Sequence, residues 1–232
     1  MSNGRQRRVM LGTPCVDGRP EAWYMHSVME TKDLCAQHGI IVKPVLMSYD
    51  AMIQRARNDI LKLALESGYD DLLFIDDDEI WKPEWALALI RHPVDVVGAP
   101  VRKKSDEQEL YNVKVDSPFV PIDCLTGLCM VESVGTGFIR LSRKAMLALW
   151  DACESEEYED NGKINRMVFN VAVVNRRLVS EDTFMCMRLK AAGFKVYVDA
   201  SFTITHIGPK HYKGEFAAFV NGLQRKALGS AA

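Results

Sequence analysis

The chain has 232 residues, 48% of them hydrophobic, with 29 Lys and Arg against 31 Asp and Glu and a formal net charge of −2. That length supports one sizeable core rather than two full domains, and the near-neutral balance provides no global basic field to gather nucleic acid or an anionic membrane. No run approaches the roughly 18 apolar residues of a membrane span, and the six cysteines show no Cys-x-x-Cys pair, so the composition points to a cytoplasmic protein with reduced thiols.

The basic opening "MSNGRQRR" is followed by no apolar run of signal-peptide length. A first strand is expected at about Val9 to Gly12, breaking into a Gly-, Pro- and Asp-rich loop, then a helix over 21–38 and a second strand in "GIIVKPVLM". Next comes a helix with Met52, Ile53, Ala56, Ile60, Leu61 and Ala64 at helical spacing, ended by Gly68. The strand "LLFI", a helix over Pro83 to Arg91 and the strand "VDVVGAP" complete an alternation that predicts an α/β fold with a mixed, mainly parallel sheet flanked by helices.

Residues 102–134 lose this rhythm and read as hairpins laid across one end of the sheet, where a second substrate is placed. "GTGFIRLSRKAMLALWDA" returns to strand, turn and helix, and "ESEEYEDNGK" reads as a solvated loop. "SEDTFMCMRLKAAGF" is a helix capped by Ser180 and ended by Gly193, and "SFTITHIG" is the last strand. "GEFAAFVNGLQRKAL" reads as an amphipathic C-terminal helix packed on its own domain. The expected organisation is one domain over 1–232: a nucleotide-binding half at about 8–100, an acceptor and catalytic half at about 101–210, and a tail or helix at 211–232.

"DLLFIDDDEIW" runs an apolar strand into four consecutive acids, Asp76, Asp77, Asp78 and Glu79. If the strand continued, Asp76 and Asp78 would share one face and Asp77 the other. Two carboxylates at the carboxyl end of a buried strand form half of a hard-cation site of the kind Mg²⁺ or Mn²⁺ accepts. Capping of the next helix explains one or two acids, yet leaves the cluster's repulsion uncompensated. An EF-hand loop is excluded by Ile80, Trp81 and Lys82. A haloacid-dehalogenase-like phosphatase using Asp76 and Asp78 remains an alternative, although its motif usually sits on the first strand, and so does a non-catalytic protein that binds metal or sugar. Thr13, Pro14 and Asp50, at the ends of the first two strands, lie where a base and ribose rest in an open α/β sheet. Trp85 reads as core, with Trp81 left open to stack on a sugar.

Six segments in order, "TPCVDG", "RARND", "FIDDDEIW", "VGTGFIRLSRKAM", "SEDTFMCMRLKAAGF" and "THIG", resemble the GT-A-type nucleotide-sugar glycosyltransferases, family 2-like, over roughly residues 8–210. The resemblance implies a single GT-A-like (Rossmann-like) domain. It also implies transfer of a sugar from a nucleotide-sugar donor, UDP-sugar by family frequency, to a hydroxyl of a carbohydrate or glycoconjugate acceptor. It implies a divalent cation, Mn²⁺ or Mg²⁺, held by Asp76, Asp78 and His206. Asp182, with Glu181 beside it, would be the base of an inverting transfer. Arg57, Asp76 and Asp77 would attend the nucleotide-sugar, and Gly135, Thr136 and Gly137 would form a loop beneath the acceptor and donor sugar. Lys210, His211 and Lys213 are candidates for a lid over the diphosphate.

Overall fold

The computed structural model describes residues 5–117 and 119–229; the first four residues of the basic opening, Pro118 and the last three of the 211–232 tail lie outside them. The first half follows β1 (Arg7–Cys15), α1 (Ala22–Gln37), β2 (Ile40–Ser48), α2 (Ile53–Glu66), β3 (Asp71–Ile75), β4 (Glu79–Ile80), α3 (Pro83–Arg91) and β5 (Val96–Gly98). The middle holds β6 (Val113–Lys114), β7 (Leu128–Val131), β8 (Ser133–Val134), β9 (Phe138–Ser142) and α4 (Arg143–Ala152). After a 3₁₀ turn at Glu154–Glu156 come β10 (Glu157–Asp160), β11 (Lys163–Arg166), β12 (Ala172–Val174), β13 (Arg177–Val179) and α5 (Glu181–Ala191). The chain closes with β14 (Val196–Asp199), β15 (Thr205–Ile207), β16 (His211–Tyr212) and α6 (Phe216–Gly229).

Seven strands form the central sheet in the order β2-β1-β3-β9-β5-β14-β7. β2, β1 and β3 pair in parallel, as do β5 and β14, whereas β9 and the edge strand β7 run antiparallel. The fold is thus the mixed, mainly parallel, helix-flanked α/β arrangement that the alternating pattern predicts, compatible with a single Rossmann-like domain. Its layers follow from the two-residue period of a strand. Val9, Leu11, Leu73 and Ile75 face one way, into a core shared with Tyr24 and Val28 of α1 and Leu89 of α3. Met10, Leu72 and Phe74 face the other, against Ile60 of α2, Met146 of α4 and Leu189 of α5. α6 buries Phe216 and Val220 in that second core, with Phe216 set edge-on to Tyr111 at 5.1 Å, so the C-terminal helix packs on its own sheet.

One expectation is corrected, and two features go beyond what the pattern showed. The acidic stretch after α4 is a β10–β11 hairpin, not a solvated loop: Asn161 and Gly162 both take positive φ (51° and 77°), the signature of a type I′ turn, and Arg166 pairs with Glu157 at 3.1 Å. A second hairpin, β12–β13, turns through Asn175 and Arg176 at φ 50° and 62° without any glycine to announce it. The final "THI" strand joins a separate three-stranded sheet, β16-β15-β4, because the chain turns at Asp76–Asp78 and starts β4 outside the main sheet.

The lower end of β3 is tied by charge. Asp71 receives two hydrogen bonds from Arg7, at 2.6 and 2.8 Å, and lies 3.6 Å from the guanidinium of Arg140. Arg140, buried on β9, donates to the carbonyls of Leu89, His92, Val94 and Asp95. Its burial lowers its pKa to about 10 even beside Asp71.

Candidate functional site

β3 ends at Ile75, so the three aspartates sit on a turn at its carboxyl end rather than alternating on a strand. Backbone bonds pin that turn: Asp76 N–H donates to the Gly137 carbonyl at 2.9 Å, and the carbonyls of Asp77 and Asp78 accept from Glu21 and Ile207 at 3.1 and 2.7 Å. All three carboxylates therefore line one cleft of about 340 Å³ with Pro14, Asp50 and His206, which corrects the expectation that Asp77 faces away.

Each aspartate has its own partner. Arg57, buried on α2, donates to Asp76 at 3.1 Å and to Glu181 at 2.7 Å, clamping two elements far apart in sequence. Asp78 meets Lys104 at 2.5 Å and the Nε2 of His206 at 3.3 Å. Burial pushes the Asp78 pKa up, but these two partners outweigh it and the net shift is downward. Asp77 is half-buried beside the Cys15 thiol; burial raises its pKa, the thiol lowers it, and the charges of Asp78 and Asp76 raise it further. Arg57 and Lys104 thus offset part of the repulsion that the sequence left uncompensated.

His206 is oriented from behind. Its Nδ1 donates to the Arg102 carbonyl at 3.0 Å, because a carbonyl can only accept, and this turns Nε2 toward Asp78. β4 and β15 pair with Glu79 opposite His206, so the Glu79 carboxyl and the imidazole share one face of the small sheet.

Glu79 is the residue that sequence reasoning left without a role. It is 1% exposed, and burial, then the charges of Asp76 and Asp78, push its carboxyl well above the ordinary range. The "GTG" loop is built around it. A Cβ at Gly137 would stand 2.4 Å from Glu79 Oε1 and 3.2 Å from Asp76 Oδ2, and one at Gly135 would meet Asn112 Nδ2 at 2.8 Å and Asp182 Oδ2 at 3.2 Å. A Cβ added at 135 or 137 would thus press on the end of Asn112 or Glu79 and force that side chain to shift.

Asp182 opens α5. Its Oδ1 accepts from the Thr183 N–H at 2.7 Å and from the Ser180 hydroxyl, while Oδ2 faces a pocket of about 270 Å³. Ser180 occupies the N-cap position but spends its hydroxyl on Asp182 and Thr183 rather than on the backbone of the first turn, so the expected cap works through the aspartate. Arg57, Asp76, Glu79, Thr136, Glu181 and His206 line the same pocket, which adjoins the larger cleft through Asp76 and His206.

The fold thus brings Pro14, Asp50, Arg57, Asp76, Asp77, Asp78, Gly135, Thr136, Gly137, Glu181, Asp182 and His206 to one edge of the sheet. Asp50 bonds Arg55 and the Met52 N–H while lining the cleft. Thr13 does not join the site. It is fully buried with its hydroxyl 2.5 Å from that of Tyr24, and supports the wall from behind. Trp85 packs against the core as expected, stacked on Phe202, while Trp81 is buried with its indole N–H on Thr31 at 2.8 Å, and both reach an outer groove. The proposed lid residues also turn elsewhere, Lys210 to Asp106 and His211 and Lys213 to that same groove. Lys104 and Asn112, which the sequence did not single out, come from the irregular 102–134 segment.

As a metal site, the cleft offers carboxylate oxygens and one oriented imidazole nitrogen, a donor set suited to a hard divalent cation. The Lys104 ammonium already sits as a positive charge on Asp78. Cys15, Asp17 and Asp77 form a second group, with ligand atoms all within 4.8 Å of one another. The Cys15 thiol is pushed up to about 12 by burial and then by its hydrogen bond with Asp77.

No protein-family profile matches the chain, and no curated protein matches it. Among the described residues no helix is long and apolar enough to cross a membrane. Among solved structures it is similar to A197 from STIV, at 16% identity and a TM-score of 0.52, over 87% of this chain and 86% of that one. At that identity the likeness is one of fold.

Proposed function

We propose that the chain is a metal-dependent glycosyltransferase of the GT-A type, a single domain over 1–232 with a nucleotide-binding half at about 8–100 and an acceptor and catalytic half at about 101–210. The observation that carries this reading is the convergence of Asp76, Asp78, His206 and Asp182 on adjoining pockets at the carboxyl edge of the sheet, where open α/β folds bind ligands. The resemblance of the motif order supplies the reaction class, with a UDP-sugar as the favoured donor.

Asp76, Asp78 and His206 would hold Mg²⁺ or Mn²⁺. Bound there, the cation supplies Lewis-acid stabilisation of the charge on a departing nucleoside diphosphate. Asp50, Pro14 and Asp77 flank the larger cleft, which takes the nucleotide, and the smaller pocket takes the donor sugar. Asp182 Oδ2 accepts the proton of an acceptor hydroxyl as that oxygen bonds to the anomeric carbon. The bond from that carbon to the diphosphate oxygen breaks with its electron pair going to the diphosphate, and the anomeric configuration inverts. Oδ1 is held by Thr183 and Ser180, so Oδ2 stays fixed for this task. Arg57 keeps Glu181 and Asp76 in place around it.

The haloacid-dehalogenase-like alternative needs Asp76 as a free nucleophile, and Arg57 restrains it. The test is Asp182→Asn in a donor-hydrolysis and transfer assay with UDP-sugars and Mn²⁺. Removal of a general base is expected to slow transfer about 10²–10⁴-fold while UDP affinity stays near that of the wild type. Equal loss of both, or a product with retained configuration, contradicts the role of Asp182.

A further inference from the structure

Buried polar side-chain atoms in folded proteins are nearly always paired, and each exception asks for an explanation. Among the described residues four such atoms lack a hydrogen-bond partner: Arg57 Nε, Glu79 Oε2, Thr136 Oγ1 and Tyr158 OH. The residues of the first three line one pocket of about 270 Å³, at the base of the cleft where Asp182 stands. Arg57, Glu79 and Thr136 are only 3%, 1% and 1% exposed, so bulk water does not satisfy them.

We propose that Glu79 and Thr136 are specificity-determining residues that hydrogen-bond hydroxyls of the donor sugar, and that the sugar is a neutral hexose with free hydroxyls. This rests on the glycosyltransferase reading and goes beyond it by naming the sugar class and the residues that select it. The pocket's size suits one pyranose ring. Its lining disfavours an acidic one: four carboxyls, Asp76, Glu79, Glu181 and Asp182, stand against Lys103 and Arg57, and the guanidinium of Arg57 is already shared between Asp76 and Glu181. A hydroxyl both donates and accepts, so one ring can satisfy the Glu79 carboxyl and the Thr136 hydroxyl together. Gly137 is the structural counterpart, since a Cβ there would press on Glu79 Oε1 and displace the carboxyl. A sugar lacking the hydroxyl leaves a buried carboxyl unpaired, which makes the preference steep.

The test is calorimetric titration, with Mn²⁺ present, of UDP, GDP, UDP-glucose, UDP-galactose, GDP-mannose and UDP-glucuronate into the wild type, Thr136→Val, Glu79→Gln and Glu79→Leu. A neutral nucleotide-hexose is expected to bind roughly tenfold to a hundredfold more tightly than its free diphosphate, with no such gain for UDP-glucuronate. Thr136→Val and Glu79→Leu are expected to remove most of that gain and leave the free diphosphate affinity unchanged. Thr136→Val preserves shape, so a fold defect does not confuse the result. A wild type that gains nothing from any sugar, or Thr136→Val and Glu79→Leu variants that keep the gain, overturn the inference and leave the glycosyltransferase reading standing. Loss of Mn²⁺-dependent UDP or GDP binding in Glu79→Gln makes Glu79 a metal ligand and also overturns it. No Mn²⁺-dependent diphosphate binding by the wild type removes the glycosyltransferase reading, and this inference with it.

Discussion

The two ends of β3 both carry buried charge and treat it in opposite ways. At the lower end Asp71 is matched by Arg7 and Arg140, and Arg140 fills its donors with four carbonyls. At the upper end Asp76 to Glu79 meet Arg57, Lys104 and His206, yet Glu79 Oε2, Arg57 Nε and Thr136 Oγ1 stay unpaired. An unsatisfied buried group costs about 1–3 kcal/mol, against a total stability of roughly 5–15 kcal/mol for a typical domain. In the proposed function a bound ligand would fill the open end.

Four substitutions sharpen or break that contrast. Arg140→Met leaves four carbonyls without their donor and Asp71 with Arg7 alone, and is expected to lower stability by about 3–5 kcal/mol in urea unfolding; a loss below about 1 kcal/mol would make the lower cluster no different from a surface pair. Gly137→Ala forces a Cβ into Glu79 and is expected to weaken nucleotide-sugar binding by about 1–3 kcal/mol, read by titration, with the fold intact by circular dichroism.

Glu79→Gln acts in the opposite sense to Arg140→Met and is expected to raise stability by about 0.5–2 kcal/mol at pH 8 in EDTA. The sign follows from the direction of the shift. Burial, and then Asp76 and Asp78, raise the folded pKa above the unfolded value of about 4.3, so the unfolded state loses its proton first and wild-type stability falls as pH rises above that point. The gap between Gln and wild type should therefore shrink toward pH 4; a gap independent of pH would show that Glu79 does not titrate in this way. Lys104→Ala gives the smallest effect. It removes the ammonium that occupies Asp78, and an exposed pair of this kind is worth about 0.2–1 kcal/mol, so Mn²⁺ affinity is expected to rise up to about fivefold by electron paramagnetic resonance.

The architecture was legible because the strands report burial directly. Val9 and Leu11 against Met10, and Leu73 and Ile75 against Leu72 and Phe74, show a sheet covered on both faces. The bounds of α3 at Pro83 and Arg91 follow from a proline at the first turn and a basic last turn. Acidic composition hid the β10–β11 hairpin, although the Asn161-Gly162 pair announces it, and nothing local announces a turn at Asn175-Arg176. The site was legible as residue types: Asp76, Asp78, Asp182 and His206 come from separate motifs and do meet at one edge. Partners that arrive from loops were not. Lys104 reaches Asp78 across 26 positions, and Arg57 reaches Glu181 across 124. Thr13 and Trp81 were misplaced because a polar or aromatic residue beside a motif faces inward whenever a buried partner such as Tyr24 or Thr31 awaits it.

The central claim is that the open end of β3 holds a divalent cation and a nucleoside diphosphate together. The most direct measurement is a thermal-shift panel of UDP, GDP and CDP, each with and without Mn²⁺, on the wild type and Asp78→Ala. Stabilisation by one diphosphate that requires Mn²⁺ and disappears in Asp78→Ala is the predicted result. No shift with any nucleotide, or a shift that Asp78→Ala leaves intact, would contradict the account.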